Sequence, residues 1–354
     1  MDRFARTLPP SLGKSFGGFV VGLLVIGWAQ AGPLEELKSL SPLPPIDVAR
    51  LKGGEIVTQR GADGDFSRGI SLESCYFIPA PVATVGAKLL HWDPTKHPGM
   101  ETRLYREYEM ASAHEAFQKL RLTASVTNDR WLLDHTYLIA DGAAGGDLHL
   151  TASEVELIRT GVPKKGAASA QAREAQASHV WGEILRRRSE DLARGGISAV
   201  APYGADQSIS PGSEFRGLLT LNPAAAKHFR PILGARPLLA NGSAAADEAV
   251  GYWETAQVRG HTTLQLGVFA ARKASDSWQL VDCVYYPTDT YFMVLDLFQL
   301  WPVDGGTVVW QVGFVSAPFR SYLGGADRYI AGKQMTGETI RTIKAFRAGF
   351  EKRR

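Results

Sequence analysis

Two aspartates, Asp282 in WQLVDCVYY (278–286) and Asp296 in TYFMVLDLFQLW (290–301), interrupt runs that are otherwise apolar. A carboxylate buried without a partner is costly, so an acid in such a run either turns outward to solvent or does work inside. Turned inward, it could hydrogen-bond the polar head of a ligand or act as a general base. A tight turn after Tyr286 would set Asp282 opposite Leu295 and Asp296 opposite Val281. The two acids would then lie on opposite faces, and at most one would look inward. A change of one residue in the loop reverses that statement, because side chains alternate along a strand. The outward, solvated reading stands beside the inward one for each acid.

Aromatic residues crowd the same region, among them Tyr285, Tyr286, Tyr291, Phe292, Phe298, Trp301 and Trp310. Cavity wall and packed core require the same residue types, so these residues fit either. Other chemistries find less support. His114-Glu115 would need a histidine at 118 for a helical zinc pair, and Gln118 stands there. HWDPTKH places His91, Asp93 and His97 in one loop, but nothing in the sequence fixes them around a metal, and Asp-Pro is first a turn former. No Gly-x-Ser-x-Gly nucleophile motif or phosphate-cradling glycine loop occurs. Asp134-His135 are adjacent, so on a strand they would point apart. No cofactor is implied.

These residues need elements to hold them. GISLESCYF (69–77) alternates as a strand and stops at Pro79 and Pro81, which cannot donate to a ladder and which suit a helix start. Val82, Val85, Leu89 and Trp92 then fall at helical spacing on one stripe, closed by Asp93-Pro94. EIVTQR (55–60) is a strand before it. In the last hundred residues GYWETAQV (251–258), TTLQLGVFA (262–270), the two aspartate-bearing runs and TVVWQVGFV (307–315) follow with short turns, Asp304-Gly305-Gly306 being a strong hairpin signal. This predicts an antiparallel meander. One long helix, 327–350, ends the chain, with Ile340, Ile343, Phe346 and Phe350 on its buried face and Tyr329 and Met335 continuing it. The middle, 110–215, predicts a mainly helical insertion. Its clearest helix is 170–193, with Val180, Trp181, Ile184, Leu185 and Leu192 on one side, and RWLLDHTYLI (130–139) is a candidate strand inside it.

The stretch GISLESCYFIPAPVATVGAKLLHWDP (69–94), and the meander plus helix from about 251 to 350, resemble the START-like, SRPBCC-type superfamily. That resemblance is architectural, covers about half the chain, and implies an α+β helix-grip fold. In that fold an antiparallel sheet curls round a long C-terminal helix and encloses an apolar cavity. It further implies a hydrophobic small molecule or lipid as ligand, with Trp92, Asp282, Tyr285, Phe292, Asp296 and Trp310 as candidate contacts. Some members are cyclases or hydrolases. The alternatives are therefore an enzyme using one inward acid, or an envelope scaffold that docks a partner through the insertion.

The N-terminus carries an address. Arg3, Arg6 and Lys14 precede FGGFVVGLLVIGWAQA (16–31), which ends in Ala29-Gln30-Ala31. A basic region, an apolar run and a small-x-small site together read as a secretory signal peptide cleaved after Ala31, and an uncleaved membrane anchor is the competing reading. The expected organisation is then leader (1–31), linker (32–50, with the stiff SPLPPI), helix-grip domain (51–109 plus 216–354) and insertion (110–215). The formal net charge of +3 falls to +1 once Asp2, Arg3, Arg6 and Lys14 leave with the leader. A near-neutral chain offers no electrostatic footprint for nucleic acid; contact with a membrane surface stays open. An exported location permits a Cys75–Cys283 disulfide, and two free buried thiols fit the strands equally well.

Overall fold

The computed structural model describes residues 33–351 except 63, 98, 111–113, 205–207, 241, 243–245 and 320–325. The predicted leader therefore lies outside the described residues. Eight strands form one antiparallel sheet: β1 (Val57–Arg60), β2 (Gly69–Ile78), β3 (Thr102–Tyr108), β4 (Glu248–Val258), β5 (His261–Ala274), β6 (Ser277–Pro287), β7 (Met293–Val303) and β8 (Gly306–Ser316). Their order is β1-β2-β8-β7-β6-β5-β4-β3. The meander β4 to β8 is thus continuous, and β2 closes onto its last strand. Gly305 makes the β7–β8 turn with φ +79°, a conformation that favours glycine. β3, which sequence patterning did not single out, pairs with β4 at the sheet's edge.

The helices are α1 (Pro33–Leu40), α2 (Val48–Lys52), α3 (Val82–Leu90), α4 (His114–Phe117), α5 (Asp129–Ala140), α6 (Ala152–Gly161), α7 (Ala170–Gly195), α8 (Pro211–Leu219), α9 (Pro223–His228), α10 (Arg230–Leu233) and α11 (Ala326–Glu351). This is the α+β helix-grip arrangement: α11 and α3 pack on one face of the antiparallel sheet. They share a core with Tyr76, Phe269, Leu280, Phe298 and Val309. The helical middle covers the other face and builds a second core with Trp253, Leu266, Leu295 and Phe314. Both faces are therefore dry, which is why all ten residues of β2 are buried.

Several expectations change. Residues 130–139 are helical, inside α5, because Leu132, Leu133 and Ile139 fall at helical spacing and are buried together. On that helix His135 Nδ1 pairs with the Trp131 carbonyl, 2.7 Å away. Helices continue past 215 to Leu233. The stretch expected as a linker is packed, with Leu37 buried and Ser41 bonded to Glu73. Tyr329, expected on the buried side of the last helix, is exposed, whereas Ile343 and Phe346 are buried. The insertion's own signature holds: Val180, Trp181, Ile184, Leu185 and Leu192 of α7 are all buried. The same helix buries Arg188, which donates to Glu154 at 2.6 Å and lies over the Tyr286 ring at 4.0 Å.

Candidate functional site

Between α3, the sheet's inner face and α11 lies a cavity of about 240 Å³. Its position follows from the Pro79 break. Chain leaving β2 turns into α3, and the 3₁₀ turn Pro94–Lys96 carries it on to β3. Trp92 and Pro94 are thereby held over the sheet facing Ile343 and Phe346 of α11. Asp93 fastens that turn by accepting from the Thr95 N–H at 3.0 Å. Trp92 stacks on His97 with ring centroids 3.7 Å apart and meets Phe346 edge-on at 5.3 Å. At the mouth, the exposed Thr342 hydroxyl donates to Met100 Sδ at 3.8 Å, bridging the loop and the terminal helix.

The floor is strand surface, and register decides what it presents. Asp282 of β6 stands directly opposite Asp296 of β7. Both acids therefore share a face, and both line the cavity. This corrects the expectation that they oppose each other across the sheet. The connection from Pro287 to Phe292 is longer than a tight turn, so the pairing slips by one residue and the parity reverses. A β-bulge follows on the same strand: Leu266 pairs with Tyr286 and Gly267 with Val284, leaving Tyr285 as the extra residue. Tyr285 and Tyr286 consequently both enter the core on the helical side.

Of the six residues expected at the ligand, Trp92, Asp282 and Asp296 meet at the cavity. Tyr285, Phe292 and Trp310 do not; they are buried on the opposite face, in the core shared with α5 to α10. Trp310 there donates to Glu73 at 2.9 Å, a carboxylate also held by Asn222 at 2.8 Å. The candidate metal donors of HWDPTKH are likewise dispersed, with His91 on Glu107 at 2.9 Å, Asp93 in its turn and His97 on Trp92. Cys75 and Cys283 are free and buried. The candidate disulfide is absent because β8 and β7 separate their strands.

Cavity residues not singled out from sequence are Tyr76, Tyr105, Tyr252, Glu254 and Gln311. Glu254 carried the same signal as the aspartates, an acid inside a strand-like run, GYWETAQV. The tyrosines gave no separate signal, since alternation marks a buried face without saying what it encloses.

The cavity is acidic. Asp282 accepts from the Tyr252 hydroxyl at 2.8 Å, and Asp296 accepts from Gln311 at 2.9 Å. Thr102 reaches Glu254 at 3.4 Å. Burial pushes the Asp296 carboxyl up to about 6, opposed only by the Gln311 bond. Burial likewise lifts Glu254 to about 7, with Asp93 adding repulsion and the Thr102 bond opposing. Asp282 is raised well above the carboxylate range by burial and then by the charge of Asp296. Two neighbours are fitted to this chemistry by glycines. A Cβ at Gly267 would stand 2.1 Å from the Tyr252 ring, and one at Gly313 would stand 2.7 Å from Asp296 Oδ1.

A groove of about 990 Å³ on the helical side, edged by Lys227, Arg230 and Leu239, is larger. Lys227, Arg230 and Leu239 are all exposed, so it is a hollow on the surface. Among the described residues, the smaller cavity combines aromatic walls with perturbed acids, the combination expected of a binding site.

No protein-family model matches the chain, and no curated protein does. Among solved structures, the chain is similar to the crystal structure of Ara h 8.0201, with 13% identity over 36% of this chain and 86% of that one and a TM-score of 0.20. The fold assignment rests on the strand order and the terminal helix, which are compatible with a START-like architecture.

Proposed function

We propose that this chain is a START-like binding or carrier protein for a small apolar molecule, held between the sheet and α11. One observation carries this reading: the space between grip helix and sheet is an aromatic-walled cavity. Tyr76, Trp92, Phe269, Phe298 and Phe346 surround it. At about 240 Å³ it falls just below the roughly 300–1,000 Å³ typical of sites for drug-sized ligands, which favours a compact ligand over a long acyl chain. The basic N-terminal region and Ala29-Gln30-Ala31 support export of such a carrier, with cleavage after Ala31. N-terminal sequencing of secreted material tests that part.

Native mass spectrometry of gently purified protein, before and after organic extraction, tests the binding. A stoichiometric adduct lost on extraction, and missing in Thr342→Trp, supports the cavity reading. Thr342 is exposed at the mouth, so a bulky ring there closes the entrance without entering the core. An adduct that persists in Thr342→Trp would place the ligand elsewhere.

A second reading, acid–base catalysis on the bound molecule, is favoured by Asp296 and Glu254 lying near neutrality, where a proton donor or acceptor is most effective. Turnover lost with binding retained in Asp296→Asn would select it.

A further inference from the structure

The cavity's lining has an unbalanced chemistry. It holds three carboxyl groups, Asp282, Asp296 and Glu254, and no lysine, arginine or histidine. The nearby cations lie outside the lining. Arg347 of α11 acts on the Tyr76 hydroxyl from a distance and donates to the Gly54 carbonyl at 2.7 Å. Arg60 packs along Gly332, and Lys88 lies over Phe350 at 4.2 Å. His97 stacks on Trp92 from outside, and two further acids act on the site: Asp93 beside Glu254, and Glu107, which accepts from the Tyr105 hydroxyl at 3.1 Å.

The acids are also incompletely used. Asp282 and Asp296 each accept one hydrogen bond at one oxygen, and among the described residues no group bonds the second oxygen of either. Independently, Tyr76 is 2% exposed and lines the same cavity, yet its hydroxyl makes no hydrogen bond among the described residues. The Tyr76 hydroxyl and the second oxygens of the two acids are not sealed in protein but open onto the cavity, where they are free to bond a guest. No set of three acid, histidine or cysteine side chains among the described residues is arranged to hold a metal ion. An organic cation fits instead. An ammonium group gives charge-assisted hydrogen bonds to carboxylates, and the lining is rich in aromatic rings, Trp92, Tyr105, Tyr252 and Phe346 among them, a residue type whose faces attract cations.

Resting on the cavity reading above, we infer that the ligand is a compact apolar amine whose protonated head sits between Asp282 and Asp296, within reach of Tyr76. Binding then moves a proton out: the ammonium replaces the proton that one of the paired acids holds, and that proton leaves to solvent. An anionic ligand, a fatty acid included, is excluded by the same carboxyls, since like charges in a dry site oppose each other.

Isothermal titration with 2-phenylethylamine, 2-phenylethanol and phenylacetate at pH 7.5 tests this, the three probes sharing a ring and arm and differing in the head. The amine should bind at least tenfold more tightly than the alcohol, with phenylacetate silent. In Asp282→Asn the amine-to-alcohol ratio should fall by tenfold or more. Alcohol or phenylacetate binding as tightly as the amine overturns the inference and leaves the cavity reading standing. Failure of all three to bind overturns both.

Discussion

Replacing Asp296 by asparagine should stabilise the protein at alkaline pH and do little at acid pH. Asparagine keeps the Oδ1 acceptor that Gln311 uses at 2.9 Å, so the change removes the ionisable proton while retaining the contact. Asp296 rises from an ordinary 3.8 to about 6 on folding. A raised folded value means that the native state holds the proton more tightly. Its contribution to stability is complete below 3.8 and is lost as the pH climbs through about 6. Two pKa units correspond to about 3 kcal/mol. The side chain opens onto the cavity, so solvent screening reduces this to ~1–2 kcal/mol. Urea unfolding of wild type and Asp296→Asn at pH 4 and pH 8 reads the difference directly. The variant's advantage should grow by ~1–2 kcal/mol between those values, about 3 °C or more in Tm. Relief of the neighbouring Asp282, whose carboxyl is raised partly by Asp296, adds to it. If asparagine changes stability equally at both pH values, Asp296 titrates on folding as it does unfolded; if it destabilises more at pH 8, Asp296 is a stabilised carboxylate. The account of the cavity as a desolvated acidic pocket would then be wrong.

Three further outcomes follow from the packing. Gly267→Ala places a methyl 2.1 Å from the Tyr252 ring and displaces the hydroxyl bonded to Asp282, so thermal melts should show a loss of about 1–3 kcal/mol together with weakened ligand binding. Arg188→Met leaves Glu154 buried without its cation and should cost about 3–5 kcal/mol in denaturant unfolding, most of it recovered by adding Glu154→Gln. Cys75 and Cys283 are separated by two intervening strands, about 14 Å across the sheet, beyond disulfide reach, so intact mass should be unchanged by reductant, and both thiols should resist alkylation until the protein is unfolded.

What the residues of this chain determine by themselves is local. Alternation in β5 to β8, the Pro79 stop, the Asp304-Gly305 turn, the stripe of α3 and the buried side of α7 are each written within a dozen neighbouring residues, because side-chain direction follows directly from backbone period. Together with the long terminal helix they fix an α+β sheet with a helix across it. The cavity is different, because it depends on sums taken over several elements. Whether Asp282 and Asp296 meet was settled by the length of one loop, and the side on which Tyr285 lies by one bulge. A single-residue slip inverts a whole strand face, so composition alone could not place them. Covering matters as much. Tyr285, Phe292 and Trp310 have the character of ligand contacts, yet the helices between β3 and β4 pack their face into core, whereas α11 and α3 leave a space over the other. Residues 130–139 differ, because the helical spacing of Leu132, Leu133, Thr136 and Ile139 lies within the segment itself. Sequence thus sets which residues can be inside; only the packing of helices on each face decides which of them surround an opening.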